Sequence, residues 1–412
     1  MTRATSSPPA LYQEAALRVV LGLLVGLVAL LFLRSPGTSD VPLFMRWMDN
    51  VDRLGVVEGY AANQTAHPPL YAVIFWLVAK LADGLAVSHF IAYKLSLLLA
   101  WVLTGVCLWQ WTHSAVTITA VLLALIPNSL ALGYFDVYLM PLLLSALWAA
   151  RQQRWVLFST SFTLMALTKA QGLILVPFAV VFAAAVALRE PRTRERTLRV
   201  AVGLAAPAVL IGMLFLAVFG GAMIGALHYA ANNELFSGNA LNLCWVITHY
   251  LRWARPERFG GLLADGTAQF IAIPATDPLR SWMRVAFFAA FGLILVLYAR
   301  RATSLQDFVY YSLLGFLAYF MLNTGVHENH LVYAAILSTV LFLIDGSYLL
   351  HAVVCWLATN ANMILFYGLS GGGLPFSRVV GVDLALPLAC LNVIFFAVAM
   401  TPILAPVRRN AA

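Results

Sequence analysis

Apolar runs recur along this chain with only short polar breaks between them, over 15–33, 87–110, 115–131, 137–150, 155–169, 172–188, 200–219, 282–299, 306–322, 331–345, 348–367 and 379–405. In hydrocarbon every backbone N–H and C=O must be satisfied within the segment, so a run that crosses does so as a helix of roughly 20 residues. Several runs fall short of that length and must borrow polar flanks. The expected fold class is an all-α polytopic membrane protein of about twelve transmembrane helices, with interfacial or re-entrant helices in its outer loops. Composition agrees, with 62% hydrophobic and only 10% charged residues in 412, far from the balance of a soluble domain. No repeat is apparent, and 1–412 reads as a single membrane domain.

The formal charge of +8 rests almost wholly on Arg in short loops, which fits membrane orientation better than nucleic acid, and no nucleic-acid partner is expected. Cys107, Cys244, Cys355 and Cys390 show no CxxC spacing, so neither a disulfide framework nor a zinc site is expected. With no Asp-x-Asp pair either, no cofactor is expected, and metal dependence stays open. Met1 to Pro9 is polar and no small-residue cleavage site follows the run Leu17 to Leu33, so the first helix is read as uncleaved.

The apolar piece 69–82 sets the topology. If it crossed, Arg151 and Arg154 would lie opposite Arg3 and Arg18. If it dips in from the outer face and returns, those residues, the run Arg189 to Arg199, Arg300/Arg301 and Arg408/Arg409 all fall inside. The positive-inside rule prefers the second arrangement, with both termini cytoplasmic. Polar segments 34–68, 131–136, 220–281, 323–330 and 368–378 then share the outer face.

The first of these, 34–68, is the densest in polar side chains. Over 41–55, Phe44, Trp47, Met48, Val51 and Leu54 recur at helical spacing, opposite Asp49, Asn50, Asp52 and Arg53, which predicts an interfacial amphipathic helix. Asp40 precedes it, either as its N-cap or as a general base at the membrane surface. His67, in His67-Pro68-Pro69-Leu70, is a loop-to-helix junction or a His at the mouth of an outer cavity. Lys94 and Lys169 either snorkel or meet an anionic headgroup. Asp136 ends a span as a solvated turn or as a partner for a substrate hydroxyl. Asn239, Asn242 and Trp245 fit polar capping of a re-entrant helix or recognition of a sugar, whose hydroxyls suit amides and whose ring suits an indole face. His327-Glu328-Asn329-His330 lacks the i,i+4 His pair of a zincin, and reads as an interfacial cap or as a phosphate clamp that Arg378 could join.

In their order along the chain these pieces resemble the GT-C superfamily of membrane glycosyltransferases: an Asp after the first helix, an amphipathic helix, His67-Pro68-Pro69-Leu70, a Lys in the next span, Gly133-Tyr134-Phe135-Asp136, Lys169-Ala170-Gln171, Asn239-Ala240-Leu241-Asn242-Leu243 and His327-Glu328. The likeness covers roughly 15–345 and looks closest to bacterial relatives of the glycosylphosphatidylinositol mannosyltransferases and of the dolichyl-phosphate-glucose-dependent glucosyltransferases. Relatives often carry Gln where this chain has Tyr134, and a basic residue where it has Asn329 and His330. The resemblance implies inverting transfer of a hexose, mannose or glucose, from a polyprenyl-phosphate donor to a hydroxyl of a lipid- or glycan-linked acceptor. The setting would be the extracytoplasmic face of a bacterial plasma membrane, with membrane lipids as further partners. It further implies Asp40 as base, His327, His330, Lys94 and Arg378 around the donor phosphate, and His67, Asp136, Glu328, Asn239, Asn242 and Trp245 around the sugars. A lipid phosphate is already a good leaving group, so one carboxylate suffices, whereas glycosidases need a pair. Two other classes fit less well. A lipid-linked-sugar flippase usually shows repeats and mid-span charges. A polysaccharide polymerase or ligase favours Arg-rich outer loops, for which Arg252, Arg255 and Arg258 are candidates.

Overall fold

The computed structural model describes residues 8–189, 193–264, 266–301, 304–371, 381 and 383–404, and Arg378, Arg3, Arg408 and Arg409 lie outside them. The described residues are helical, with three isolated backbone bridges in place of any sheet. In order the helices are α1 (Pro8–Phe32), α2 (Val41–Leu54), α3 (Val56–Asn63), α4 (Leu70–Leu85), α5 (His89–Trp109), α6 (Ala115–Ile126), α7 (Leu139–Arg151), α8 (Trp155–Thr168), α9 (Val176–Ala187), α10 (Arg194–Asn232), α11 (Leu243–Ala254), α12 (Pro256–Phe259), α13 (Pro278–Arg301), α14 (Leu305–Leu322), α15 (Val332–Ile344), α16 (Leu349–Tyr367) and α17 (Ala385–Leu404).

Among the described residues, seven helical segments are long and apolar enough to cross a bilayer: His89–Trp109, Ala170–Ala187, Arg194–Asn232, Pro278–Arg301, Leu305–Leu322, Gly346–Tyr367 and Ala385–Leu404. Shorter apolar helices lie at Ala16–Phe32, Ala115–Ala131, Trp155–Thr168 and Glu328–Ile344. A helical membrane protein is the architecture these lengths fit. The remaining apolar run, 137–150, is α7, only 13 residues long. Buried on all sides, α14 and α15 form the centre, as helices apolar all round must. By contrast α10 shows Leu210, Met213 and Leu214 outward. It breaks at Gly220, whose φ of 49° and ψ of −129° leave the helical region, so the helix is interrupted where the apolar run 200–219 ends.

Two sets of contacts give the bundle its ends. At the C-terminal end of α5, Arg18 sits over the Trp109 ring at 5.4 Å and Arg151 over Trp111 at 5.5 Å, which brings these two arginines to one end of the bundle. The N-terminal half of α5 holds the other end, where the Tyr93 hydroxyl donates to Gly133 O at 2.6 Å. Beside it lies α2, with Phe44, Trp47, Met48 and Val51 buried and Asp49 and Arg53 outward as the spacing predicts, although Leu54 is exposed. Helix α4, which follows α3, starts and finishes against α2. Tyr71 packs on Trp47 with ring centroids 5.3 Å apart, Lys80 Nζ lies 2.6 Å from Asp52 Oδ1, and His89, opening α5, lies 2.7 Å from Asp49 Oδ1. Helix α4 therefore runs alongside the amphipathic α2.

Candidate active site

The residues that matter most begin with the backbone of the first loop. Gly37 adopts a φ of +76°, and a Cβ there would sit 2.5 Å from Val41 Cγ2 and 2.8 Å from Leu132 O. Only glycine permits this approach. Thr38 N–H then donates to Leu132 O at 2.9 Å, which stitches the first loop to the turn carrying Tyr134. Lys94 completes the stitch from below, donating to Ser35 Oγ at 3.0 Å and to Leu130 O.

Asp40 occupies the N-cap position of α2, yet its side chain makes no capping bond. It accepts instead from the Tyr134 hydroxyl at 2.7 Å, so the capping role does not explain it. The same hydroxyl lies 3.0 Å from Glu328 Oε1, and Tyr367 donates to that oxygen at 2.7 Å. Burial above all holds the Tyr134 phenol well above its usual range, so it keeps its hydrogen.

Around these side chains opens a cavity of about 1040 Å³, on whose walls Asp40, His67, His327, Glu328 and His330 all lie. His67 is packed edge-on against Phe135 at 5.0 Å and near Trp47 at 5.8 Å. Burial, then the Lys169 ammonium and His327, keep its imidazole well below the usual range, hence neutral. His327 is set by a close backbone approach: a Cβ on Gly238 would lie 2.7 Å from its Nδ1, and Asn233 Nδ2 lies 3.2 Å from its Nε2. His330 Nδ1 lies 3.3 Å from the His327 backbone nitrogen and 3.1 Å from the Tyr319 hydroxyl, and its Nε2 lies 3.0 Å from the Gln171 amide.

Other expected residues do different work. Asp136 is not at a solvated turn: it is buried, ion-paired with Lys169 and hydrogen-bonded by Asn329 Nδ2 at 3.2 Å, directly behind the wall that Lys169 itself lines. Lys94 neither snorkels nor reaches the cavity, because its buried ammonium is committed to Ser35 and Leu130. Asn242 caps α11, accepting from Trp245 N–H at 3.0 Å and donating to Phe320 O at 2.8 Å, and Trp245 is buried against Phe366 at 5.2 Å. Asn239, at a φ of 57°, bridges by backbone to His327. Asp136, Lys94, Asn239, Asn242 and Trp245 all lie off the cavity wall, so of the two readings of the 239–245 segment the capping one describes Asn242. Arg378 lies outside the described residues.

The cavity also holds side chains that the motifs did not single out as site residues. Arg280 and Arg284, one turn apart at the start of α13, both line it. Arg280 is 1% exposed and donates to Ile273 O at 2.9 Å and to Asn233 O, while its Nε has no hydrogen-bond partner. Arg284 is half-buried and donates to Ala231 O at 3.0 Å. A signal for them existed in the sequence: two arginines spaced i,i+4 at the start of an apolar run. Arg252, offered earlier to a basic outer loop, is buried and fastens that loop through Gln269 O, Gly261 O and Phe270 O.

One group of described residues, Asp52, Asp83 and His89, has its ligand atoms close enough for a metal ion. Lys80 Nζ lies within 2.6 Å of Asp52 and 3.7 Å of Asp83, so an ammonium already supplies the positive charge there. Taken as a whole, the cavity offers one carboxylate open to a bound molecule, two arginines suited to an anion, and aromatic walls suited to an apolar or ring-shaped ligand. The sequence matches no protein-family model and no curated protein.

Proposed function

We propose that the chain is an inverting glycosyltransferase that moves a hexose, mannose or glucose, from a polyprenyl-phosphate carrier to a hydroxyl of a lipid- or glycan-linked acceptor. The observation that carries the proposal is Asp40. A carboxylate partly open to a cavity of about 1040 Å³, whose other walls bear Arg280, Arg284, Lys169 and His327, has a base and an anion site within one chamber. Asp40 takes the acceptor hydroxyl proton as the new C–O bond forms on one face of the anomeric carbon. The bond to the lipid phosphate breaks on the other face, and the phosphate leaves with the electron pair. Arg280 and Arg284, with His327, hold that phosphate through charge-assisted hydrogen bonds. They take the part that Lys94 cannot, its ammonium being spent inside the bundle.

The side of the membrane follows from charge. Arg18 and Arg151 share the end of the bundle opposite the cavity, and basic loops face the cytoplasm, so the reaction faces outward. The packing of α4 alongside the amphipathic α2 supports about twelve spans with both termini cytoplasmic, since a helix that stays with α2 at one face leaves the later loops on the sides that their charge prefers.

The test is transfer by purified protein offered a panel of polyprenyl-phosphate sugars with a membrane lipid extract as acceptor. Asp40→Asn is expected to lower kcat by about 10²–10⁴. Near-normal transfer by Asp40→Asn at matched expression sinks the assignment. No product from any donor, with prenyl-phosphate binding intact, moves the reading to lipid-linked sugar transport.

A further inference from the structure

Asp40, Tyr134, Glu328 and Tyr367 form a continuous line of oxygens, with successive contacts of 2.7, 3.0 and 2.7 Å. Each contact needs one hydrogen between its oxygens, and the two phenols supply one each. The third must therefore reside on one of the carboxyl groups. Otherwise a lone pair of Tyr134 would face a bare carboxylate oxygen, an unpaired arrangement that is costly when buried. Glu328 is the deeper of the two at 3% exposure, and its nearest basic group, His327 Nδ1, is 4.0 Å away. Asp40 is only half-buried and opens to the cavity. A negative charge therefore costs less on Asp40 and the hydrogen belongs on Glu328.

We propose that Tyr134 and Glu328 are positioning residues for Asp40. Glu328 holds a hydrogen and donates it to the Tyr134 oxygen, while Tyr367 donates to Glu328. The Tyr134 hydroxyl is thereby committed to Asp40 Oδ2. Asp40 stays ionised and fixed in rotation, with Oδ1 left to receive a proton. No net proton moves along the line during a turnover, so the arrangement is an orienting device and adds no step. It rests on the glycosyltransferase reading, and it gives Tyr134, which stands where relatives of the resembled family often carry Gln, a role of its own.

Glu328→Gln, Glu328→Leu and Tyr134→Phe test it. Gln offers an uncharged N–H where Glu offers an O–H, so it preserves the donation to Tyr134, its second N–H turning to the Tyr367 oxygen, whereas Leu and Phe each remove a link. Glu328→Gln should keep about a third or more of the wild-type kcat, with Glu328→Leu and Tyr134→Phe falling about tenfold or more and donor KM moving less than about twofold in all three. A Glu328→Gln enzyme as impaired as Glu328→Leu would mean that Glu328 acts as a charged carboxylate, which overturns the proposal. So would an unimpaired Tyr134→Phe, or a rise in KM at constant kcat, which would make Tyr134 a ligand contact. Should the wild type transfer no sugar at all, the reaction is wrong but the hydrogen arrangement is still tested by melting. Glu328→Gln within about 2 °C of wild type, with Glu328→Leu clearly lower, supports it, and equal losses in both refute it.

Discussion

Asp136→Asn leaves Lys169 with its charge inside the protein and nothing to balance it. Both side chains are almost wholly enclosed, at 4% and 1% exposure, and the remaining neighbour of Asp136, Asn329 Nδ2, is a donor that cannot neutralise an ammonium. Removing one partner of a buried pair costs about 3–5 kcal/mol, because the desolvation already incurred by the other charge is no longer offset. Unfolding entropies of about 2.1 cal/mol/K per residue, over 412 residues, convert that loss to a melting-temperature drop of about 4–6 °C. Lys169→Met in the same chain strands the Asp136 carboxylate and should cost about as much. The double variant Asp136→Asn/Lys169→Met places two uncharged groups side by side, and should recover most of the loss, within about 2 °C of wild type. The assay is thermal unfolding of the four detergent-solubilised proteins at one detergent concentration, read as a double-mutant cycle. Additive losses, with the double variant lower than either single one, would refute the reasoning, for they would show that the two charges are stabilised separately. Because Lys169 also lines the cavity while Asp136 does not, donor KM in the rescued double variant separates its structural role from any contact with substrate.

The neutral His67 gives a dependence on pH. Its imidazole is held well below the usual range in the fold and returns to about 6.5 when unfolded, so the unfolded chain binds the extra proton between those values. Stability is therefore full above about pH 7.5 and falls as pH drops through about 6.5, by at most about 1.4 kcal/mol per unit for one group. Melting curves between pH 5 and 8 should flatten in His67→Phe, and an unchanged slope would show that His67 is not the group responsible. Lys94→Met and Arg284→Ala should split: the first lowers melting temperature and leaves donor KM within about twofold, whereas the second raises donor KM by about tenfold or more, losing a charge-assisted contact of about 1.5–3 kcal/mol. Sidedness is checked by single cysteines in a background with Cys107, Cys244, Cys355 and Cys390 replaced. A cysteine at Gln64, on the cavity rim, should react with an impermeant maleimide from outside and one at Arg151 should not; external labelling at Arg151 would sink the proposed topology.

The helices and the amphipathic α2 could be read from the chain alone. A bilayer leaves the backbone one local solution, and the 3.6-residue recurrence of Phe44, Trp47, Met48 and Val51 records which face is buried. The gathering of Asp40, His67, His327, Glu328 and His330 was legible for a related reason: polar groups excluded from hydrocarbon collect at its boundary. Which of them touch was not legible. Tyr134 meets Asp40 across 94 residues and Glu328 across 194, and Lys94 finds its partners 36 and 59 residues away. Hydropathy is the same for a lysine spent on a carbonyl inside the bundle as for one facing a phosphate. Arg280 and Arg284 likewise became wall residues only when α13 was packed against the segment ending α10. Periodicity and polarity are properties of neighbours along the chain, and so the sequence determined the elements and which of their faces are buried. The partnering of charges depends on how the ends of separate helices meet, and that was decided by tertiary packing.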